Sequence, residues 1–250
     1  PLESQSEVRV AGRDIDYTPT PFYRDNPIFL RPATDQDAAA EGRPAEAENI
    51  EALITRALIT EGESAFDAGD YRLALGLFQR ATSRPGGETL RSLAGVYMAS
   101  WKLGRKDAAE TAFGRIVALS VERHETLTVK FLFAVNSDEF IRDPDLRRQY
   151  KIWLRRIGAY FHQTGGCLQV IGHSSRSGTE TWNDTLSRNR ARRVQTLLKD
   201  SFPEVMSRSV AIGRGYQDNI IGIGTDDARD ALDRRVEIVP VPCESLTASR

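Results

Sequence analysis

The stretch LQVIGHSSRSGTETWNDTLSRNRARRVQTLLK, residues 168–199, decides how the C-terminal half of the 250-residue chain reads. Residues 168–172 form an apolar run of strand length ending on Gly172, and residues 174–178 form a hydroxyl-rich loop closed by Gly178. A helix is predicted over 183–200, with Leu186, Arg190, Val194 and Leu197 recurring at helical spacing. Arg190 therefore lies in the inward apolar stripe, while Arg188, Arg192 and Arg193 point elsewhere. An inward arginine is costly unless it meets a carboxylate or several carbonyls. Either Arg190 pairs internally, with Asp138 or Glu139 in the loop after the preceding strand, or it faces a ligand. Asn183, two turns earlier on the same face, suits an N-cap, and the loop hydroxyls and amides lie beside that helix start, where small anions are favoured.

Working outward, residues 127–135 are an apolar, β-rich run, and residues 144–162 carry Leu146, Tyr150, Trp153, Ile157 and Tyr160 at helical spacing. Residues 209–213 and 235–239 read as strands, with a turn of helix at 228–232 between them. The order is βαβαβαβ, a mixed sheet covered by helices. From Ile50 to Ser120 the period is 3.6 instead: Leu53, Ala57 and Leu58 open one helix, and Leu73, Leu77, Phe78 and Ala81 carry the next. Gly69-Asp70, Pro85-Gly86-Gly87 and Gly104-Arg105 break this stretch into helical hairpins, and Gly69, Ala74, Phe78 and Ala81 recur 35 residues later as Gly104, Ala109, Phe113 and Ile116. The fold class is α+β, helical hairpin repeats followed by the mixed-sheet domain. The hairpins resemble the tetratricopeptide repeat, with Gly62, Ala74, Phe78 and Ala81 on its pattern and Pro85 one position before the usual proline; Leu58 and Ala65 replace its Trp and first Tyr. That resemblance implies a peptide-binding groove or a short helical spacer.

Residues 1–49 are rich in Pro, Ala, Asp and Glu without sustained periodicity and read as a disordered or extended tether; alternatively Phe22, Tyr23 and Phe29 dock on a partner or on the next domain. The expected organisation is this tether, helical repeats over 50–123, the mixed-sheet domain over 124–243 and a flexible tail over 244–250. The net charge of −1 lacks the basic balance of a nucleic-acid binder, so none is expected as a partner. No window reaches the 18 or more apolar residues of a spanning helix. Cys167, Cys243 and the histidines His124, His162 and His173 fit no metal-ligand spacing, and no nucleophile, phosphate-loop or dinucleotide signature is present. Neither an enzyme nor a cofactor or metal is expected.

The segment Gly172-His173-Ser174-Ser175-Arg176-Ser177-Gly178, followed by Asn183, Leu186-Ser187 and Arg190-Ala191, resembles the OmpA C-terminal-like peptidoglycan-binding family, whose pattern is GHTDxxG and then N, LS and RA. Gly213-Arg214-Gly215-Tyr216 matches the family's GxG segment, and Asp233-Arg234-Arg235-Val236-Glu237-Ile238 its NRRVEI end. The resemblance implies non-covalent, non-catalytic binding of the diaminopimelate part of the peptidoglycan stem peptide. It places Val135, Asn136, Ser175, Thr179, Asn183, Leu186 and Arg190 around the pocket, with Arg190 taking the diaminopimelate carboxylate. His173 is expected as a satisfied strand-end histidine and Arg235 as structural. One departure stands out: the family's Asp, which meets the ligand's ammonium, is Ser175 here, beside Arg176.

In the resembled fold the strands next to Cys167 and Cys243 are antiparallel neighbours, which implies a disulfide between them. The implied setting is the periplasm of a Gram-negative envelope. There the chain tethers a component to the wall, with membrane attachment only through a lipid anchor upstream of Pro1 on the outer membrane and a protein partner on the helical repeats. The alternative is a structural subunit of an envelope or secretion complex that no longer binds peptidoglycan.

Overall fold

The computed structural model describes residues 6–10, 13–17, 20–28, 50–219 and 233–249; Phe29 and the helical turn predicted at 228–232 lie outside the described residues. Its contacts divide the chain into two units, residues 19–119 and residues 1–18 with 120–250.

In the first unit, helices α1 (Pro21–Asp25), α2 (Ile50–Asp67), α3 (Tyr71–Thr82), α4 (Leu90–Lys102) and α5 (Lys106–Glu122) follow in order. Local chemistry sets their ends. The Asp70 carboxylate accepts the Leu73 amide at 3.0 Å to cap α3, and Thr89 and Ser92 form a reciprocal capping box on α4. The turns before α3 and α5 each need one left-handed residue, supplied by Gly69 (φ 82°) and Gly104 (φ 72°). The 35-residue repeat is a repeat of buried positions, since Ala74, Phe78, Ala81, Ala109, Phe113 and Ile116 are all fully buried. Phe78 fills a slot framed by α2 and α4, where a Cβ on Gly95 would stand 2.4 Å from its ring and one on Gly62 2.9 Å.

Two expectations change here. Leu53 and Leu73, placed on inward stripes, are 46% and 53% exposed. The buried face of α2 runs through Thr55, Leu58, Ile59, Gly62, Ala65 and Phe66, so the small Gly62 and not the large Leu53 marks the contact side. Residues 20–28, counted with the tether by composition, belong to the helical unit. Phe22 is fully buried, stacked on Phe78 at 5.6 Å and edge-on to Phe66 at 5.9 Å.

In the second unit β1 (Ser6–Val10) and β2 (Arg13–Tyr17) pair antiparallel, a hairpin inside the segment read as a tether. The main sheet holds β3 (Leu127–Val129), β4 (Cys167–Gly172), β5 (Ser209–Gly213) and β6 (Val236–Val241) in the order β3-β6-β4-β5, with β4 and β5 parallel and the other pairs antiparallel. Helix α6 (Pro144–Thr164) starts on Asp143, whose carboxylate accepts the amides of Asp145 and Leu146, and α7 (Glu180–Leu197) packs on β4 and β5. The chain is thus α+β with a small mixed sheet.

The first strand is shorter than the apolar run 127–135 suggested. After Val129 the chain turns, with the Phe131 amide on the Val129 carbonyl at 2.9 Å, and Phe133 bridges Phe140 in a short return. The cause is aromatic packing: Phe131 lies 5.7 Å from Phe140, 5.4 Å from Tyr150 and 5.7 Å from Trp153, and Phe133 lies 5.0 Å from Phe140. At the other end Cys243–Ser249 is a 3-10 helix with Leu246 buried, where a flexible tail was expected. Cys167 is opposite Val241 in the sheet, and the structure joins Cys167 to Cys243 with their Cα atoms 5.1 Å apart.

Close approach of α7 to the sheet depends on Gly172, where a Cβ would lie 2.0 Å from the Ser187 carbonyl oxygen. Gly172→Ala must push the helix off the strand and is expected to destabilise the second unit by about 2–4 kcal/mol. Gly76 has open space around its Cβ position in a helix, so Gly76→Ala is expected to stabilise by about 0.5–1 kcal/mol. Urea unfolding of both variants checks the pair, and a neutral Gly172→Ala would contradict the packing described.

Candidate functional site

Among the described residues, Arg190 is the largest charged side chain fully removed from solvent. Its Nε donates to the Ser137 carbonyl at 3.0 Å, Nη1 to the His173 carbonyl at 3.1 Å and Nη2 to the Ala134 carbonyl at 3.3 Å, and the guanidinium lies over the Phe133 ring at 5.2 Å. One cation thus gathers the loop after β3 and the end of β4. Glu139, one of the two internal partners expected for Arg190, instead pairs with Arg193 at 3.1 Å. The inward position read from the sequence is right, and three of its bonds end on backbone carbonyls.

The remaining predicted residues sit on the two loops and the helix that Arg190 connects. Val135 is 45% exposed at the tip of the first loop, and Asn136 beside it is exposed with a left-handed backbone (φ 53°). That loop is closed by the Ala134 amide on the Glu139 carbonyl at 2.9 Å and by the Glu139 amide on the Ser137 hydroxyl at 3.0 Å. Ser175 is buried two residues past His173. Thr179 is exposed, and its hydroxyl accepts the Trp182 amide at 3.3 Å. This makes Thr179 the N-cap and starts α7 at Glu180, three residues before the start predicted at Asn183. Asn183 is buried and ties the second loop down, its amide nitrogen donating to the Ser177 carbonyl at 2.7 Å and the Thr179 carbonyl at 3.1 Å. Leu186 is buried one turn further along the helix.

Two residues escaped the sequence reading as site elements. Ser187 is fully buried, donates to the Asp184 carbonyl at 3.0 Å and accepts the Gly215 amide at 2.9 Å, joining α7 to the segment after β5. The LS and GxG motifs held that signal, because both sides of the contact are in them. Glu237 is the other. Arg235 holds its Oε1 from Nε at 2.9 Å and Nη2 at 2.7 Å, and His173 Nε2 stands 3.4 Å from Oε2. Arg235 also reaches the Asp218 carbonyl at 3.0 Å, and His173 is buried with its amide on the Arg235 carbonyl at 3.0 Å. Burial alone would raise the Glu237 carboxyl, but the His173 contact and the Arg235 charge outweigh it and bring it down to about 2. In the aromatic cluster, burial pushes the Tyr150 hydroxyl up to about 12, against the opposing effect of the Leu132 amide that it accepts at 3.1 Å. Among the described residues no group of three or more His, Cys, Asp or Glu side chains could hold a metal ion, and no helix is long and apolar enough to cross a membrane.

No family model and no curated protein matches the chain. Solved structures similar to it include the peptidoglycan-associated lipoprotein from Burkholderia pseudomallei, at 21% identity over 44% of this chain and 88% of that one, with a TM-score of 0.37. The OmpA-like domain of FopA1 from Francisella tularensis is 23% identical over 47% of this chain and 73% of that one, with a TM-score of 0.37. The cell wall anchor of the T6SS from Pseudomonas aeruginosa is 26% identical over 52% of this chain and 97% of that one, with a TM-score of 0.36.

A depressed carboxyl stabilises the fold above its unfolded value, about 4.3, and loses that contribution as pH falls through its folded value. Glu237→Gln is therefore expected to be about 2–3 kcal/mol less stable than the parent at pH 7, the two converging between about pH 4.5 and about pH 2. Urea denaturation across that range tests this; a constant gap would show that the carboxyl carries no linked charge.

Proposed function

We propose that residues 124–243 are an OmpA-like peptidoglycan-binding domain that holds the diaminopimelate end of a stem peptide without catalysis, and so anchors an envelope component to the wall. The observation that carries this reading is Arg190. A buried guanidinium whose bonds reach the carbonyls of Ala134, Ser137 and His173 places a fixed positive charge between the two loops that bear Val135, Asn136, Ser175 and Thr179. Such a charge favours a carboxylate at the rim of the two loops. Asn183 and Leu186 complete the wall on the helix side.

The same reading assigns the helical unit a tetratricopeptide-like interaction or spacer role. It places the protein in the periplasm, reached from an outer-membrane lipid anchor upstream of Pro1 through the N-terminal segment. A second reading, a structural subunit that has lost wall binding, is favoured by one observation: Ser175, which replaces the family's acid, is only 5% exposed, and Arg190 is fully buried.

Arg190→Ala is expected to disturb both loops, because three carbonyls lose their donor together, so it does not isolate binding from folding. Rim positions do. Retention on purified diaminopimelate-type sacculi is expected for the parent, with a loss of tenfold or more for Val135→Glu at unchanged melting temperature. Ser175→Asp restores a partner for the ligand's ammonium, a charge-assisted bond of about 1.5–3 kcal/mol, and is expected to raise affinity roughly ten- to a hundred-fold. No retention of any form, the parent included, overturns wall binding in favour of the structural subunit.

A further inference from the structure

Residues 20–28 contact the helical unit as a peptide ligand would. Three side chains serve as anchors. Phe22 enters the aromatic slot against Phe66 and Phe78, and its amide donates to the Asp67 carboxylate at 2.6 Å. The Tyr23 hydroxyl donates to Glu63 at 3.1 Å, with the Arg91 guanidinium over its ring at 5.7 Å. Asp25 pairs with Lys102 at 3.1 Å, and Lys102 in turn lies 6.0 Å over the Tyr71 ring. Every one of these bonds ends on a side chain of α2 or α4, so none is part of a helix or sheet ladder. The Asp25 and Lys102 side chains keep 28% and 37% of their surface in solvent. In sequence, residues 29–49 separate the segment from the helices it meets.

Helices α2, α3 and α4 also share a core of their own side chains. Phe78 fills the slot between Gly62 and Gly95, and Leu58, Ile59, Ala74, Leu75, Ala81 and Leu93 are buried around it. The segment adds the Phe22 ring, the buried side chains of Asn26 and Ile28 and a line of polar contacts to that core.

We propose that the face made by Glu63, Phe66, Asp67, Arg91 and Lys102 is a docking site for a partner peptide with a Phe-Tyr pair and an acid two residues after the Tyr, and that residues 20–28 occupy it in cis as a releasable strap. The chemistry dictates the occupant. The slot accepts a Phe-sized ring, Glu63 accepts a phenol hydroxyl, and the Lys102 ammonium selects an acid at the third position after the Phe. A partner carrying that pattern competes with the strap, so the helical unit binds only what can displace its own segment. This assignment does not depend on wall binding by the second unit.

Two measurements on the full-length chain test it. Hydrogen exchange of the parent comes first. The Phe22 amide, held by one side-chain carboxylate, is expected to exchange at least a hundredfold faster than the Phe78 and Ala81 amides, through release of the strap alone. Equal rates would make residues 20–28 an integral part of the core and overturn the proposal. In the second, the synthetic peptide TPFYRDNPI is titrated into the parent and into the double variant Phe22→Ala, Tyr23→Ala. Binding at least tenfold tighter to the variant is expected, and loss of tenfold or more when the peptide's Asp is replaced by Lys. That loss should be recovered with Lys102→Glu in the double variant. A folded double variant that takes no peptide, or one indifferent to the charge exchange, overturns the docking site; if the double variant does not fold, the exchange rates decide alone.

Discussion

A guanidinium held entirely out of water is tolerated only where its donors are met, and that requirement organises the second unit. Arg190 projects from α7, and three of its bonds end on the carbonyls of Ala134, Ser137 and His173. Carbonyls can be supplied only by backbone that turns toward the cation. The loop after β3 therefore curls back on itself, with Asn136 in the left-handed region, and β4 ends with the His173 carbonyl aimed at the helix. The Phe133 face covers the remaining side of the charge. Helix and sheet must also be close enough for that reach. Gly172 allows it, and Ser187 locks it by accepting the Gly215 amide.

This dependence explains which parts of the site were legible in the sequence. The inward direction of Arg190 follows from its spacing to Leu186 and Val194, since helical geometry fixes which residues share a face. Its carbonyl partners were not legible, because a backbone carbonyl has no side-chain signature, and the acids of the same loop, Asp138 and Glu139, draw the eye first. The helix start shows the same limit. Thr179 and Asn183 are both good caps, and only the folded loop decides: Asn183 is drawn inward to hold the Ser177 carbonyl, which leaves Thr179 to cap. The end of β3 at Val129 depends on Phe131 turning into a cluster with Tyr150 and Trp153, a tertiary choice that an apolar run does not encode.

In the helical unit the legible part was the repeat. Two glycines with left-handed backbone 35 residues apart, each followed by small and aromatic residues that become fully buried, state the hairpin geometry outright. What composition concealed was the role of residues 20–28. A stretch rich in Pro and Asp reads as unable to bury a core, which is true of the stretch alone; Phe22 finds its burial in a slot built by helices whose sequence begins at Ile50. The single aromatic pair inside a polar segment was the one local sign.

Charge balance at the proposed wall-binding site remains uneven, and that unevenness constrains what the site can recognise. A zwitterionic ligand end carries a carboxylate and an ammonium on one shared carbon, so a pocket selective for it offers a cation and an anion together. Here the cation is rigid: Arg190 is immobilised by three carbonyls and an aromatic face, so little conformational entropy is lost when it meets an anion. Ser175, which the proposed reading sets where an acid would meet the ammonium, is a neutral hydroxyl that is buried and has Arg176 as its neighbour in sequence. Under the proposed reading, recognition rests on the carboxylate half, with the ammonium half met by hydroxyl and carbonyl oxygens alone. Such a site discriminates less against a carboxylate ligand whose amine is blocked or acylated than an acid-bearing site does, because no buried anion is left unpaired when the ammonium is missing. On that reading, a serine in place of the acid alters the breadth of what is bound as well as its strength.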